Sequence, residues 1–204
     1  MMEMSMLLME ETAVPAAALP LAAFKAHLRL GTGFADDDIQ DPVLEGFLRA
    51  AMAAIEGRTG KVLIERDFSW VLHDWQDPAG QPLPVAPVSA VLRLALRSRA
   101  EDEEVIDPAH YRLERDAHRP VLRPAGHCLP MVPSGGVIEI LFRAGYGAAW
   151  SDLPPDLGQA VLLLAAHFYE HRSETALAEG CMPFGVASLI ERYRKVRLFG
   201  GSGR

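Results

Sequence analysis

The chain has 204 residues, half of them hydrophobic, with 27 acidic residues against 20 lysines and arginines and a net charge of −7. That length can bury one good core, or a core with a smaller lobe, and the acidic balance opposes wrapping around nucleic acid, which needs a surplus of cations on one face. Two cysteines, Cys128 and Cys181, are too few for a disulfide framework or a structural zinc site, and both are expected to be reduced, small core residues.

The opening MMEMSMLLME is rich in methionine and acid and lacks the basic start of a secretory signal. It reads as the start of a cytoplasmic product, and residues 1–19 are expected to form a flexible lead. In LPLAAFKAHLRLG, Leu21, Phe24 and Leu28 recur at helical spacing, Pro20 suits the first turn and Gly31 the stop. DDDIQDPVLEGFLRAAMAAIEGRTG follows as a longer helix whose expected inner face is Ile39, Val43, Phe47, Ala51 and Ile55. Either Asp38 caps it, leaving Pro42 in the first turn, or Asp41 caps it with Pro42 as its first residue.

From Lys61 to Ala144 the period shortens to two. VLIERDFSWVLHDW, SAVLRLALRS, HYRLER, PVLRP and GGVIEILFRAG are strand candidates separated by turn-rich stretches. In SAVLRLALRS the alternation predicts Ala90, Leu92, Leu94 and Leu96 on one face and Arg93 and Arg97 on the other. Trp70, Trp75 and Tyr111 are expected to pack the sheet. GYG at 145–147 lacks the lysine and hydroxyl of a phosphate-binding loop.

The helical period returns in SDLPPDLGQAVLLLAAHFYEHR, where Pro154 and Pro155 pre-set the first turn and Asp156 complements the helix dipole. Leu157, Val161, Leu164 and Phe168 form one apolar stripe, and Leu162, Ala166 and Tyr169 form a second. A helix apolar on two faces needs two partners. VASLIERYRKVRLF is a shorter helix with Val186, Leu189, Ile190 and Tyr193 inward, and GGSGR at 200–204 is a flexible tail. No apolar run reaches the length of a membrane span. The fold class is therefore α+β, with two N-terminal and two C-terminal helices in a bundle over 20–60 and 145–199 and a β-rich lobe inserted at 61–144.

HFYEH, residues 167–171, fits the H-x-x-E-H spacing that lets two histidines hold one zinc beside a general base. A metal-dependent hydrolase built on His167, Glu170 and His171 would need a third ligand downstream. The acids available there are Glu174, Glu179 and Glu191. A helix end is also an ordinary place for histidine, whose charge complements the dipole, so no metal, cofactor or catalytic residue is assigned. No serine elbow or comparable nucleophile motif occurs.

Taken in order, LAAFKAHLRL at 21–30, DDD at 36–38, AAMAAIEGRTGKVLIERDF at 50–68 and FRAGYG followed by DLPPDLGQAVLLLAAHFYEHR within 142–172 resemble the head-tail connector, or adaptor, family of long-tailed bacteriophages, prophages and gene transfer agents. The resemblance runs from about Pro20 to Leu198. It implies a structural part without enzymatic activity, located in the particle after assembly in the host cytoplasm, and forming a ring of twelve beneath the portal protein. A stopper or tail protein would bind the far side, and DNA would pass through the channel without sequence-specific contacts or any membrane. Leu162, Ala166 and Tyr169 would then meet the neighbouring subunit. The C-terminal segment, with Arg192, Arg194, Lys195, Arg197, Leu198 and Phe199, would reach the portal, and the lobe at 61–144 would decorate the outside of the ring. An acidic chain suits a conduit that must not grip DNA. A cytosolic helical adaptor unrelated to virions is the other non-enzymatic reading.

Overall fold

A computed structural model of the chain describes residues 7–30, 40–172 and 182–194. The chain divides into two compact units, one of residues 1–20 and 61–154, the other of residues 21–60 and 155–204. All eight described strands belong to the first and all four described α-helices to the second.

The strand unit holds two antiparallel sheets. The larger has the order β1 (Leu7–Glu10), β2 (Arg66–Leu72), β8 (Val137–Ala144), β4 (Val88–Arg97) and β5 (Glu103–Val105). The smaller has the order β3 (Gln81–Pro82), β7 (Val121–Pro124) and β6 (Tyr111–Glu114). Strict alternation in β8 sends Ile138, Ile140, Phe142 and Ala144 into the core, all fully buried. There they join Phe68, Trp70, Leu72, Leu94 and Leu96 from the same sheet and Leu83, Tyr111, Leu122 and Trp75 from the other sheet and its loops. Each large side chain so removed from water contributes about 1.5–3 kcal/mol. Trp75 also finds a polar partner, its indole N–H donating to the Pro130 carbonyl at 2.7 Å.

Three sequence expectations change here. The lead at 1–19 is not free from Leu7 onward: residues 7–10 pair with β2, and Ala18 and Leu19 are buried. In β4 the register shifts between Val88 and Ala90 and again between Val91 and Arg93. As a result Ala90 pairs with Arg143 on the outer face, Leu92 is exposed, and only Leu94 and Leu96 of the four keep the inner face. A bulge moves a side chain across the sheet in a way that period-two counting does not register. Cys128 is exposed instead of buried; Cys181 lies outside the described residues.

The strand unit is closed at its base by two backbone segments running side by side. The amides of Glu65 and Tyr146 donate to the carbonyls of Gly147 and Leu63 at 2.8 and 3.2 Å, and those of Val62 and Gly145 donate to Ala86 and Pro87 at 2.8 and 3.0 Å. Val62, Leu63 and Ile64 are buried, so these bonds satisfy groups that water cannot reach. The contact requires glycine at 145, where φ is 140° and a Cβ would lie 2.3 Å from the Glu65 Cα. Lys61, 1 % exposed, pins the start of the same segment by donating to the Ala117 carbonyl beside His118 Nδ1.

In the helical unit, α1 (Leu21–His27) buries Phe24, and α2 (Asp41–Thr59) buries Leu44, Leu48, Ala51, Met52, Ile55 and Thr59. The expected face of α2 is rotated, since Val43 is 55 % exposed. Equal four-residue steps drift about 40° per step around a helix of 3.6 residues per turn, whereas the observed stripe mixes threes and fours. The helix starts at Asp41 with Pro42 in its first turn, and Gln40, not an aspartate, holds the cap position. Gly60 stops it in the left-handed conformation at φ 66°.

Gly145→Ala should destabilise the chain by about 2–4 kcal/mol, because the backbone of Glu65 cannot yield to a methyl group. Gly46→Ala, on a helix with nothing within 4 Å of the new Cβ, should instead be neutral or stabilise by up to about 1 kcal/mol. Urea unfolding of both variants checks the opposite signs.

Candidate functional site

The residues singled out for assembly lie on the last two helices, α3 (Pro155–Glu170) and α4 (Phe184–Ile190), and on the helical turn Glu191–Tyr193. α3 buries Leu157, Gly158, Ala160, Val161, Leu164, Ala165 and Ala166. Ala166 is thus covered by its own chain, at 9 % exposure, while Leu162 and Tyr169 are half-buried. Tyr169 stands edge-on to Phe47 of α2, with ring centres 5.9 Å apart, and its face carries the Arg172 guanidinium at 4.7 Å. The second apolar stripe of the sequence is therefore partly used within the subunit. Leu162 and the outer part of Tyr169 remain available.

α4 buries Val186 and Ile190, and Tyr193 follows one turn later. The Tyr193 hydroxyl donates to Asp156 Oδ1 at 2.7 Å, and Arg192 reaches Asp156 Oδ2 at 2.7 Å while stacking over the Tyr193 ring. Asp156 was expected to complement the dipole at the start of α3. It also receives the end of α4, a tertiary contact with no signal in local sequence. Arg194 pairs with Glu191 at 3.2 Å. Two of the four cations expected in the C-terminal tail are thus engaged next to the bundle, and Lys195, Arg197, Leu198 and Phe199 lie outside the described residues. Burial pushes the Tyr193 phenol above its ordinary pKa of 10.0.

His167 and His171 lie one turn apart with ring centres 4.3 Å from each other. His171 Nδ1 is 2.9 Å from the His167 carbonyl, which takes up that nitrogen as a donor, and Glu170 is exposed. Among the described residues no three His, Cys, Asp or Glu side chains converge as metal ligands. Glu174 and Glu179 fall outside them, and Glu191 belongs to Arg194. No helix among the described residues is long and apolar enough to cross a membrane.

No family model matches the chain, and no curated protein matches it. Solved structures do. The neck of an empty gene transfer agent particle computed with C6 symmetry contains a chain 53 % identical, covering 97 % of this chain and 100 % of that one, at a TM-score of 0.87. The virion of the native gene transfer agent particle contains one 53 % identical over 96 % of this chain and 98 % of that, at 0.85. This chain belongs to the head-tail connector family. The neck of the native particle computed with C12 symmetry gives a third match, 49 % identical over 97 % of this chain and 100 % of that, at 0.82.

The connector's acidic excess is unevenly placed. Nearly all of it lies in residues of the strand unit, and the helical unit comes close to balance. The aspartates and glutamates of the larger sheet are largely neutralised on its outer face, where Arg143 grips Asp67 at 2.7 and 3.1 Å, Arg97 meets Glu139 at 2.8 Å and Arg93 meets Glu103 at 2.6 Å.

Tyr193→Phe should lower stability at neutral pH by about 1 kcal/mol, the net worth of one hydrogen bond. The raised phenol pKa adds a sign to this. Its stabilisation is complete below the unfolded pKa of 10.0 and fades as pH rises toward the folded value, because the unfolded chain ionises first. Urea midpoints measured at increasing alkaline pH should therefore fall less steeply for Tyr193→Phe than for the wild type. Equal slopes would detach the phenol from the latch.

Proposed function

We propose that the chain is a structural adaptor that forms a ring of twelve at the particle neck, under the portal protein, joining the head to a stopper or tail protein and surrounding the path of DNA. The observation that carries this reading is the near full-length similarity, at about half identity, to chains of gene transfer agent necks computed with C6 and C12 symmetry. A sixfold description is compatible with twelve copies in two alternating settings, because twelvefold symmetry contains the sixfold. The role is mechanical and needs no bound cofactor.

In this reading the β-rich lobe at 61–144 decorates the outside of the ring. A lining without a cation surplus neither condenses on phosphates nor releases counterions, so DNA slides. Leu162 and Tyr169 meet the neighbouring copy. Beyond the Asp156 latch, Lys195 and Arg197 pair with acidic groups of the portal, and Leu198 and Phe199 supply apolar anchors that become ordered on docking.

Two substitutions on α3 separate assembly from folding. Ala166→Asp places a charge inside the subunit and should destabilise the isolated chain by several kcal/mol. Leu162→Lys should leave folding within about 1 kcal/mol of wild type and still remove the chain from necks. Deleting residues 196–204 should give a folded chain that no longer attaches to filled heads. Full occupancy of that deletion, with tails joined, would overturn the docking role of the tail.

A further inference from the structure

The larger sheet ends in two strands that nothing among the described residues covers. All four residues of β1 and all three of β5 are exposed. Natural edges are blunted by lysine, proline, a bulge or a covering element. β1, four residues long with Glu10 as its one charge, has no lysine, proline or bulge, and Leu7, Leu8 and Met9 are 52, 36 and 47 % exposed. Val105 on β5 is 57 % exposed.

The pairing registers connect these residues. One cross-strand row runs Leu7, Val71, Glu139, Ala95, Val105. Its two ends are exposed aliphatic side chains on the same outer face of the sheet. The hydrogen-bond phase fixes which backbone groups are open. The Glu11 amide donates to the Asp67 carbonyl, so the odd residues of β1 face β2, and the N–H and C=O of Leu8 and Glu10 point outward. The Ile106 amide donates to the Leu94 carbonyl, so on β5 it is Glu103 and Val105 whose groups point outward. With five strands alternating in direction, β1 and β5 run the same way.

We propose that β1 and β5 are the two halves of one contact between copies of this chain, the open edge of β1 on one copy receiving β5 of the next. This inference rests on the ring reading above and names a second surface for it. The occupant is a second copy because a ring closes through two different patches on each subunit, and this sheet offers one at each end. Each end carries the missing neighbour of the other's aliphatic row. Extending the sheet in this way makes the added pair parallel. With Val105 beside Leu7, the successors Ile106 and Asp107 run alongside Leu8 and Met9, and Glu103 and Glu104 fall away from Glu10, which Arg66 already neutralises at 2.9 Å.

Leu8→Pro is the discriminating variant. The Leu8 N–H makes no bond to β2, so proline there keeps β1 on its own sheet and removes only an outward donor. Its unfolding midpoint should match wild type, while copies retained on purified heads should fall to background. Val105→Lys should do the same from the other side. A second readout uses the wild type. The amides of Leu8 and Glu10 should exchange freely in the isolated chain and slowly in assembled particles. Wild-type occupancy by a stably folded Leu8→Pro, or amides that exchange equally fast in both states, would overturn the edge contact. Absence of wild-type rings from heads would instead sink the ring reading on which it rests.

Discussion

The strand unit depends on a crossing of two backbones at its base. Residues 61–65 bring the chain in from the helical unit's sequence and residues 145–147 take it back, and the two segments bond to each other and to Ala86 and Pro87. A lobe inserted into another unit's sequence must bring its ends together, at an entropic cost that rises slowly with loop length. Here four backbone hydrogen bonds and three buried aliphatic residues offset that cost. The crossing tolerates no side chain at Gly145, and Asp152 crowds Gly147 so closely that a Cβ there would lie 2.3 Å from its Oδ2. The same Asp152 carboxylate accepts from the Ala149 amide at 2.9 Å, which shapes the turn leading to α3.

With its ends tied, the lobe spends its apolar residues on one core between two sheets and its charge on the outer face. Arginine and acid alternate there across neighbouring strands, an arrangement that keeps the face wet and soluble but adds little stability, since exposed pairs contribute about 0–1 kcal/mol each. The exception is the pair of edges. Apolar side chains left at both ends of one row are a liability in a monomer and an asset in an assembly, and the family's necks are assemblies.

In the helical unit the Asp156 carboxylate ties the two ends of the C-terminal helix pair together. It lies in the first turn of α3, where the helix dipole favours a negative charge, and it gathers the Tyr193 phenol and the Arg192 guanidinium from the end of α4. One carboxylate therefore holds the turn Glu191–Tyr193 against the start of α3.

The sequence by itself determined that the chain mixes helices with antiparallel strands and roughly where each period rules, because the change from a 3.6 to a 2.0 period is a local property of neighbouring side chains. Trp70, Trp75 and Tyr111 packed as their surroundings required, and the ordered motifs from LAAFKAHLRL to HFYEHR were enough to indicate the family. Tertiary structure alone decided what depends on distant partners. The lead at Leu7 became a strand because β2 offered it an edge, two register shifts turned Ala90 and Leu92 away from the core, and the inner face of α2 rotated past Val43. Lys61 became a buried pin only because Ala117, 56 residues away, supplied a carbonyl. Periodicity records which side chains share a face, but not which carbonyl, carboxylate or open edge a distant part of the chain presents to them.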